Sequence, residues 1–175
     1  MAVGDEILAA MPYAPPFLFV DSIDEVSDDA VCGRYRFRED ELFYAGHFPG
    51  RPVTPGVILI ETMAQIGLVS LGIYLTRAHL SPEGSDTSTS RIAFTESNVV
   101  FLSAVFPGDE VTVRARRVYF RLGKLKCEVW MTNASGERVS EGTMAGMILD
   151  RETLSRAGGV EAPSSSESPT EGTQS

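Results

Sequence analysis

The chain has 175 residues, enough for one domain with a hydrophobic core of its own. Its formal net charge of −9 argues against general nucleic-acid binding, because contacts with phosphates need clustered lysine and arginine. Two cysteines are too few for a disulfide framework or for a zinc site built from thiolates alone, so reduced thiols are expected. The first residues lack the basic region of a secretory signal, which favours a cytoplasmic location.

The N-terminal part of the chain predicts a short helix followed by two strands. Residues 4–10 favour a helix because acidic side chains fall in its first turn. Residues 17–26 are typical of a strand that is buried at its start. Residues 30–37 alternate cleanly, which predicts a second strand with Arg34 and Arg36 on one face and aromatic side chains on the other.

The middle of the chain predicts one long buried helix. Residues 46–56 contain three glycines and three prolines, so they form a constrained loop. Residues 57–75 are apolar on almost every side, as in a helix buried in a protein core or in a membrane. Glu61 and Gln65 interrupt this run, and a carboxylate inside a bilayer is costly. We therefore expect no membrane span and a core helix that a sheet surrounds.

Four further strands complete the predicted fold, and a polar loop precedes them at residues 81–90. The strands are predicted at residues 91–101, 110–119, 122–133 and 138–149. About six strands and one apolar helix predict an α+β architecture, a curved antiparallel sheet around the helix, whose edges favour pairing of two copies. One domain is thus expected over residues 1–150, followed by a polar, disordered tail over residues 151–175.

His47 is the first candidate catalytic residue. Its loop fixes the backbone, so that a side chain can be aimed at a substrate. Histidine is the most common general base in enzymes. The alternative is a structural histidine whose ring binds a neighbouring carbonyl group. The second histidine, His79, follows the predicted helix and is expected to be exposed and inert.

Glu61 is the second candidate, because it is the only charged residue between residues 57 and 75. A carboxyl group surrounded by apolar side chains holds its proton more tightly, as a general acid requires. The alternative is an outward-facing Glu61 at the start of the helix. Gln65 lies one turn further along the same face, where it would either orient the carboxyl group or serve as a hydrogen-bonded core amide.

Gly56 marks the start of the predicted helix and completes the candidate site. The first N–H groups of a helix are unpaired, and without a Cβ atom a ligand can approach them closely. They would stabilise an oxygen that gains negative charge, such as a thioester carbonyl oxygen when the neighbouring carbon loses a proton. A base, an acid and an oxyanion donor together predict an elimination reaction.

The segment GHFPGRPVTPGVILIETMAQ at residues 46–65 closely resembles the signature of the Z-type 3-hydroxyacyl-[acyl carrier protein] dehydratases. The likeness extends more weakly to PPFLFVD at residues 15–21 and to VVFLSAVFPGDEV at residues 99–111. The chain departs from that family at Tyr13, in place of a usual basic residue, and at Thr54, in place of a common methionine.

The resemblance implies a hotdog fold with active sites between the subunits of a homodimer or a trimer of dimers. His47 corresponds to the base that takes the C2 proton, and Glu61 of the other subunit to the acid that helps the C3 hydroxyl leave as water. Gly56 corresponds to the backbone donor to the thioester carbonyl. Further substrate-binding residues are expected beside these three: Phe48, Val53, Pro55 and Gln65. The implied reaction yields a trans-2-enoyl thioester and uses no metal and no organic cofactor.

The resemblance also implies an acyl carrier protein as the partner. Carrier proteins are acidic, so an acidic enzyme needs a local basic patch to bind one. Residues 111–126 contain six basic residues and no acid, and these are the candidate docking residues: Arg114, Arg116, Arg117, Arg121, Lys124 and Lys126. A second basic row consists of Arg34, Arg36 and Arg38. For both rows the alternative is ion pairing with acids on adjacent strands.

Two other functions are open to a chain of this kind. A hotdog acyl-thioesterase would hydrolyse the thioester with a carboxylate and water, and would release a free thiol rather than form an enoyl thioester. A non-catalytic acyl-binding subunit of a heteromeric dehydratase would not react at all. The presence of both His47 and Glu61 argues against that subunit, because a buried acid without a role is costly.

Overall fold

The computed structural model describes residues 2–79 and 91–149. A short helix α1 (Val3–Ala9) opens the chain, and a 3-10 turn (Leu42–Ala45) precedes the loop at residues 46–55. The central helix, residues 56–79, consists of α2 (Gly56–Met63), a π-helical turn (Ala64–Val69) and α3 (Ser70–His79). The strands are β1 (Ser22–Val26), β2 (Ala30–Arg36), β3 (Arg91–Phe101), β4 (Glu110–Arg121), β5 (Lys124–Asn133) and β6 (Arg138–Leu149). The loop predicted at residues 81–90, the tail predicted at residues 151–175 and the side chain of His79 lie outside the described residues.

The strands form one antiparallel sheet in the order β1-β2-β4-β5-β6-β3. The central helix packs against β2, β4, β5 and β6, and its side chains Ile66, Leu68, Leu71 and Leu75 are fully buried. Facing side chains such as Val113 and Leu125 are also fully buried. The predicted α+β architecture is confirmed, and the apolar helix supplies one side of the core.

The central helix belongs to this core. By length and composition, Gly56–Ala78 would suffice to cross a membrane, but 72% of its most apolar window is buried inside the protein. The helix is apolar all round because strands cover most of its circumference. Among the described residues, burial in the protein core explains the hydropathy of this helix, and no bilayer is needed to explain it.

The first strand is shorter than predicted. The sequence favours a strand over residues 17–26, whereas β1 begins at Ser22. The side-chain amide of Gln65 accounts for the difference, because it bonds to the Phe17 carbonyl and to the Phe19 N–H group. These backbone groups therefore bind the central helix instead of a neighbouring strand.

The connection between β4 and β5 also differs from the prediction of a strand that starts at residue 122. Strand pairing ends at Arg121 and Lys124, and Leu122 and Gly123 form a two-residue turn. Their φ angles are 52° and 74°. Positive φ at both positions is the geometry of a tight hairpin turn whose twist matches that of the strands.

Strand β3 lies at one edge of the sheet. In the described part of the chain it pairs with β6 alone, through ten of its eleven residues. A row of backbone N–H and C=O groups is therefore left unpaired along its outer side. Apolar side chains on this strand and just after it are exposed: Phe94, Val100, Phe101 and Leu102. The open edge that favours pairing of two copies is present, while the oligomeric state stays a prediction.

Candidate active site

His47 lies in the loop between the 3-10 turn and α2. Its N–H group donates to the Phe43 carbonyl and its own carbonyl accepts from the Val53 N–H group, both at 3.0 Å. The ring atom Nδ1 lies 2.8 Å from the Val53 carbonyl oxygen. Because a carbonyl oxygen only accepts, Nδ1 carries the proton, and in the neutral ring Nε2 keeps its lone pair. A structural histidine would bind a neighbouring carbonyl group in the same way. The contact nevertheless leaves Nε2 of His47 able to act as a base.

Buried contacts hold this loop from behind. The Thr54 N–H group donates to the Val105 carbonyl at 2.8 Å, and the Thr54 hydroxyl lies 2.6 Å from the Tyr44 hydroxyl. Both side chains of the hydroxyl pair are buried, and so is Pro55, which immediately precedes α2. The loop that carries His47 is thereby fixed to both the 3-10 turn and the start of the central helix.

Phe48 and Val53 lie directly against the imidazole. The Phe48 ring stacks on the His47 ring with 4.2 Å between centroids, yet 56% of the Phe48 residue is exposed. Val53 supplies the carbonyl that fixes the imidazole and is itself half-buried. An apolar side chain that remains open beside a free imidazole nitrogen is suited to contact a substrate or a second subunit.

Glu61 is held by Gln65. The Gln65 Nε2 atom donates to Glu61 Oε1 at 2.8 Å and to the Phe17 carbonyl at 3.0 Å, and Gln65 Oε1 accepts from the Phe19 N–H group at 2.8 Å. The Gln65 side chain is completely buried. It therefore orients the carboxyl group and is also a satisfied core amide, so the structure contains both alternatives.

Glu61 is only partly buried within a single chain. Glu61 is partly exposed, and Val57, one turn earlier on the same face, is 71% exposed. The sheet covers the opposite side of α2, where Leu59 and Met63 are buried. Its own chain thus shields Glu61 from water only in part.

Tyr13 is a neighbour of Glu61 that the sequence does not place in the site. Burial raises the pKa of the Tyr13 hydroxyl, and the nearby Glu61 carboxylate raises it further. The two residues are far apart in sequence, so spacing carries no signal that they influence each other. The sequence draws attention to Tyr13 only because the chain departs from the family pattern at this residue.

Gly56 is the first residue of α2, as predicted. Its N–H group and that of Val57 have no acceptor among the described residues, whereas the next two N–H groups bond to the Pro55 carbonyl. These are the free donors expected at a helix start. A Cβ atom at Gly56 would lie 3.0 Å from the Phe101 ring, so glycine also lets that ring pack beside the donors.

The two candidate catalytic groups are not bonded to each other within the described part of a single chain. Within residues 2–79 and 91–149, no hydrogen bond or ion pair joins His47 to Glu61. The same residues contain no group of three or more His, Cys, Asp or Glu side chains that could hold a metal ion. The arrangement offers a base, an oriented carboxyl group and free backbone donors.

Ion pairing accounts for most of the two basic rows. In the first row, Arg34, Arg36 and Arg38 contact Asp24, Glu110 and Asp21 at 2.8, 2.9 and 3.0 Å. In the second row, Arg116, Arg117 and Lys126 contact Glu128, Asp29 and Glu96 at 2.6, 2.6 and 2.7 Å. Arg114, Arg121 and Lys124 form no ion pair with any described residue.

Known proteins resemble this chain in sequence and in fold. The model of the FabA-like domain family matches residues 11–145. A 3-hydroxyacyl-[acyl-carrier-protein] dehydratase FabZ from Geotalea uraniireducens is 32% identical over 142 residues, which cover 81% of this chain and 88% of that protein.

Two solved structures share the fold at 14% sequence identity. The dehydratase heterocomplex ApeI:P from Xenorhabdus doucetiae has a TM-score of 0.69 and is matched over 86% of this chain and 95% of that chain. The fluoroacetyl-CoA thioesterase FlK has a TM-score of 0.58, over 77% of this chain and 96% of that chain. Identities this low show the architecture, a sheet around one central helix, and leave the reaction to the sequence relatives.

Proposed function

The chain belongs to the FabA-like family, and from this membership and its site we infer that it is a 3-hydroxyacyl-[acyl-carrier-protein] dehydratase with a hotdog fold. It removes a proton from C2 and the hydroxyl group from C3 of the acyl chain. The products are a trans-2-enoyl thioester and water. We place the reaction in fatty-acid, polyketide or related lipid biosynthesis.

His47 is the proposed base. The observation that supports this role is the hydrogen bond from Nδ1 to the Val53 carbonyl, because it leaves Nε2 free to accept the C2 proton. As that proton leaves, negative charge develops on the thioester carbonyl oxygen. The free N–H groups of Gly56 and Val57 stabilise this charge. Phe48, Val53 and Pro55 contribute to the wall around the acyl chain.

Glu61 is the proposed acid. Its carboxyl group donates a proton to the C3 hydroxyl, the C3–O bond breaks, and water leaves while the C2–C3 double bond forms. Gln65 holds the carboxyl group in position by the 2.8 Å hydrogen bond. Transfer of the proton from the His47 imidazolium back to the Glu61 carboxylate restores both groups. The cycle uses protein groups alone, without a metal or an organic cofactor.

Two copies of the chain form the proposed active unit, a dimer or a trimer of dimers. The outer edge of β3 is open, and exposed apolar residues adjoin each candidate group: Phe48 stacks on His47, and Val57 lies one turn before Glu61 in α2. Antiparallel pairing of β3 with β3 of a second copy would cover this edge. This pairing would also desolvate Glu61 and bring a histidine of the second copy towards it.

We propose a cytoplasmic location for this enzyme. Both Cys32 and Cys127 are free and buried, as expected of a protein in a reducing compartment. The acyl carrier protein that presents the substrate is then the proposed partner.

The proposed function is tested by the product formed from a 3-hydroxyacyl thioester of acyl carrier protein. A dehydratase gives the absorbance of an enoyl thioester, whereas a thioesterase gives a free thiol. We expect His47→Ala and Glu61→Gln each to lower kcat by about a thousandfold, because each removes a proton-transfer group. The free energy of unfolding should change by less than about 1 kcal/mol, since both groups are partly exposed.

His79→Ala, which changes the other histidine of the chain, is the matched control and should keep the wild-type rate. Rates near wild type for either His47→Ala or Glu61→Gln would contradict the mechanism. Release of free thiol without enoyl product would contradict the dehydratase itself.

A further inference from the structure

A pair of buried hydroxyl groups lies behind the loop that carries His47. The Tyr44 hydroxyl is 2.6 Å from the Thr54 hydroxyl, and both residues are buried, with 6% and 5% of their surfaces exposed. A buried hydroxyl that loses its partner destabilises the fold, so each of these groups depends on the other. Burial raises the pKa of the Tyr44 hydroxyl, and the pair therefore keeps both of its protons near neutral pH.

Thr54 shares a peptide group with the carbonyl that holds the imidazole. The His47 Nδ1 atom donates to the Val53 carbonyl at 2.8 Å. The Thr54 N–H group donates to the Val105 carbonyl, also at 2.8 Å. The Val53 carbonyl and the Thr54 N–H group belong to one planar unit, so neither can turn without the other. A displacement of Thr54 would therefore rotate the acceptor of the His47 proton.

Thr54 also precedes the peptide group that carries the first free backbone donor. This group consists of the Pro55 carbonyl and the Gly56 N–H group. The Pro55 carbonyl accepts from the N–H groups of Ile58 and Leu59 at 2.9 and 3.1 Å, which fixes the direction of the Gly56 donor. Only Thr54 and Pro55 separate the carbonyl that anchors the base from this donor, so a shift of Thr54 reaches both.

The other hydroxyl belongs to the opposite side of the same loop. Tyr44 lies in the 3-10 turn, and the neighbouring Phe43 carbonyl accepts from the His47 N–H group at 3.0 Å. Residues 48–52, the outer part of the loop, are exposed and receive little support from packing. The hydroxyl pair therefore joins the two sides of the loop at its buried base, and the orientation of the imidazole depends on this base.

We propose that Tyr44 and Thr54 are positioning residues, whose hydrogen bond keeps the His47 proton on Nδ1 and aligns the free Nε2 with the donors of α2. This role rests on the proposed function, in which His47 is the base. Without the bond, the Val53 carbonyl turns and the ring exchanges to the tautomer with its proton on Nε2, which cannot act as a base. Thr54 stands where the resembling dehydratases commonly carry methionine, a side chain that offers no such hydroxyl.

Turnover of a 3-hydroxyacyl thioester of acyl carrier protein tests the kinetic part of this role. Tyr44→Phe and Thr54→Val each remove one hydroxyl and keep the shape of the side chain. At a temperature where circular dichroism shows the variants to be folded, each should lower kcat about tenfold, because a misaligned base reacts slowly, while KM stays within about twofold. Thr54→Ser, which keeps the hydroxyl, should retain kcat within about twofold of wild type.

A double variant and a distant threonine provide the controls. Because both hydroxyls belong to one bond, Tyr44→Phe/Thr54→Val should be no slower than the slower single variant. Thr76→Val is the matched control, since Thr76 is also buried and its hydroxyl donates to the Gly72 carbonyl at 2.7 Å. It should keep the wild-type kcat. Additive losses in the double variant, or an equal loss in Thr76→Val, would overturn the proposal.

Nuclear magnetic resonance of the imidazole nitrogens separates positioning from stability. In the untagged His79→Ala variant, His47 is the sole histidine of the chain, and its two ring nitrogens report the tautomer. At a pH where the ring is neutral, we expect the proton on Nδ1. Addition of Tyr44→Phe or Thr54→Val should give a mixture of both tautomers, whereas addition of Thr54→Ser or Thr76→Val should not.

The same spectra distinguish a failure of this positioning role from a failure of the proposed function. An unchanged tautomer in Tyr44→Phe and Thr54→Val would overturn the role, even with a lower kcat, and so would an unchanged kcat in folded variants of an active enzyme. If the wild-type protein forms no enoyl product, the dehydratase function fails. The tautomer of His47 then supports or overturns the hydroxyl pair by itself.

Discussion

At the scale of single residues, Gln65 connects the candidate acid to the N-terminal segment. Its amide bonds to Glu61 on one side and to the backbone of Phe17 and Phe19 on the other. A carboxyl group that is partly exposed would otherwise sample several rotamers. Gln65 reduces this freedom, so we assign it a positioning role in addition to its structural one.

Replacement of Gln65 by methionine, which has a similar shape, tests this role. The free energy of unfolding should fall by about 2 kcal/mol, because the buried Phe19 N–H group and the partly buried Phe17 carbonyl lose their partner. In addition, kcat should fall by about tenfold or more at a temperature where the protein stays folded, with KM little changed. Urea unfolding and steady-state kinetics measure the two effects.

Thr62→Val is the control for this substitution, because Thr62 is equally buried in the same helix but bonds only to the Ile58 carbonyl. It should cost about 1 kcal/mol and leave kcat unchanged. A loss of stability in Gln65→Met with an unchanged kcat would show that Gln65 is structural alone.

At the scale of secondary structure, the contact between β6 and β3 decides whether the edge of the sheet is well formed. Gly142 of β6 pairs with Val99 of β3, and a Cβ atom at Gly142 would lie 2.0 Å from the Asn98 carbonyl oxygen. Backbone atoms cannot move aside as a flexible side chain does. Glycine at this position therefore allows β3 to approach β6 closely.

Gly142→Ala should destabilise the protein by about 2 kcal/mol, as overpacking does, and should displace β3. The measurement is urea unfolding together with hydrogen exchange of the β3 amides. Gly46→Ala is the matched control, since a Cβ atom there meets nothing within 4 Å and its φ angle is −109°. If Gly142→Ala unfolds at the same urea concentration as wild type, the close approach of the two strands is wrong.

At the scale of the whole molecule, His47 and Glu61 form no hydrogen bond or ion pair with each other in the described part of one chain, and the proposed mechanism places the site between two subunits. If each site takes its histidine from one subunit and its glutamate from the other, a mixed dimer of two inactive variants contains one intact site. Statistical mixing makes half of the dimers mixed, so coexpression of His47→Ala with Glu61→Gln should restore about a quarter of wild-type activity.

Separately purified variants, assayed alone, provide the baseline for this experiment. Activity of the coexpressed sample that does not exceed this baseline would show that both groups act within one chain. Light scattering on the same samples measures the mass, which should correspond to a dimer or a hexamer.

Much of the fold follows from the sequence because its signals are local. Side-chain alternation predicts six strands, and the start of β4 and the limits of β3 and β6 agree with it. The apolar run predicts the core helix, and Glu61 and Gln65 within it predict the absence of a membrane span. The Gly/Pro-rich loop and the isolated Glu61 identify the two candidate groups, because fixed backbone and unusual charge are visible in sequence.

Errors arise where a residue's partner is distant in sequence. The N-terminal part of the predicted first strand bonds to Gln65 instead of a strand, and Leu122 lies in a turn that no glycine or asparagine announces at its first position. The pairing of Arg116, Arg117 and Lys126 with acids depends on the order of the strands. The composition shows which charged residues are present, but it does not show which of them form ion pairs.

The sequence by itself determines the kind of elements, their order along the chain, the family and the residue types of the candidate site. Only the tertiary structure decides that β3 is an open edge, that Glu61 is partly exposed in one chain, and that His47 is held with Nε2 free. The physical reason is that periodicity and composition act between near neighbours. Burial, strand order and hydrogen-bond partners arise from groups that only the folded chain brings together.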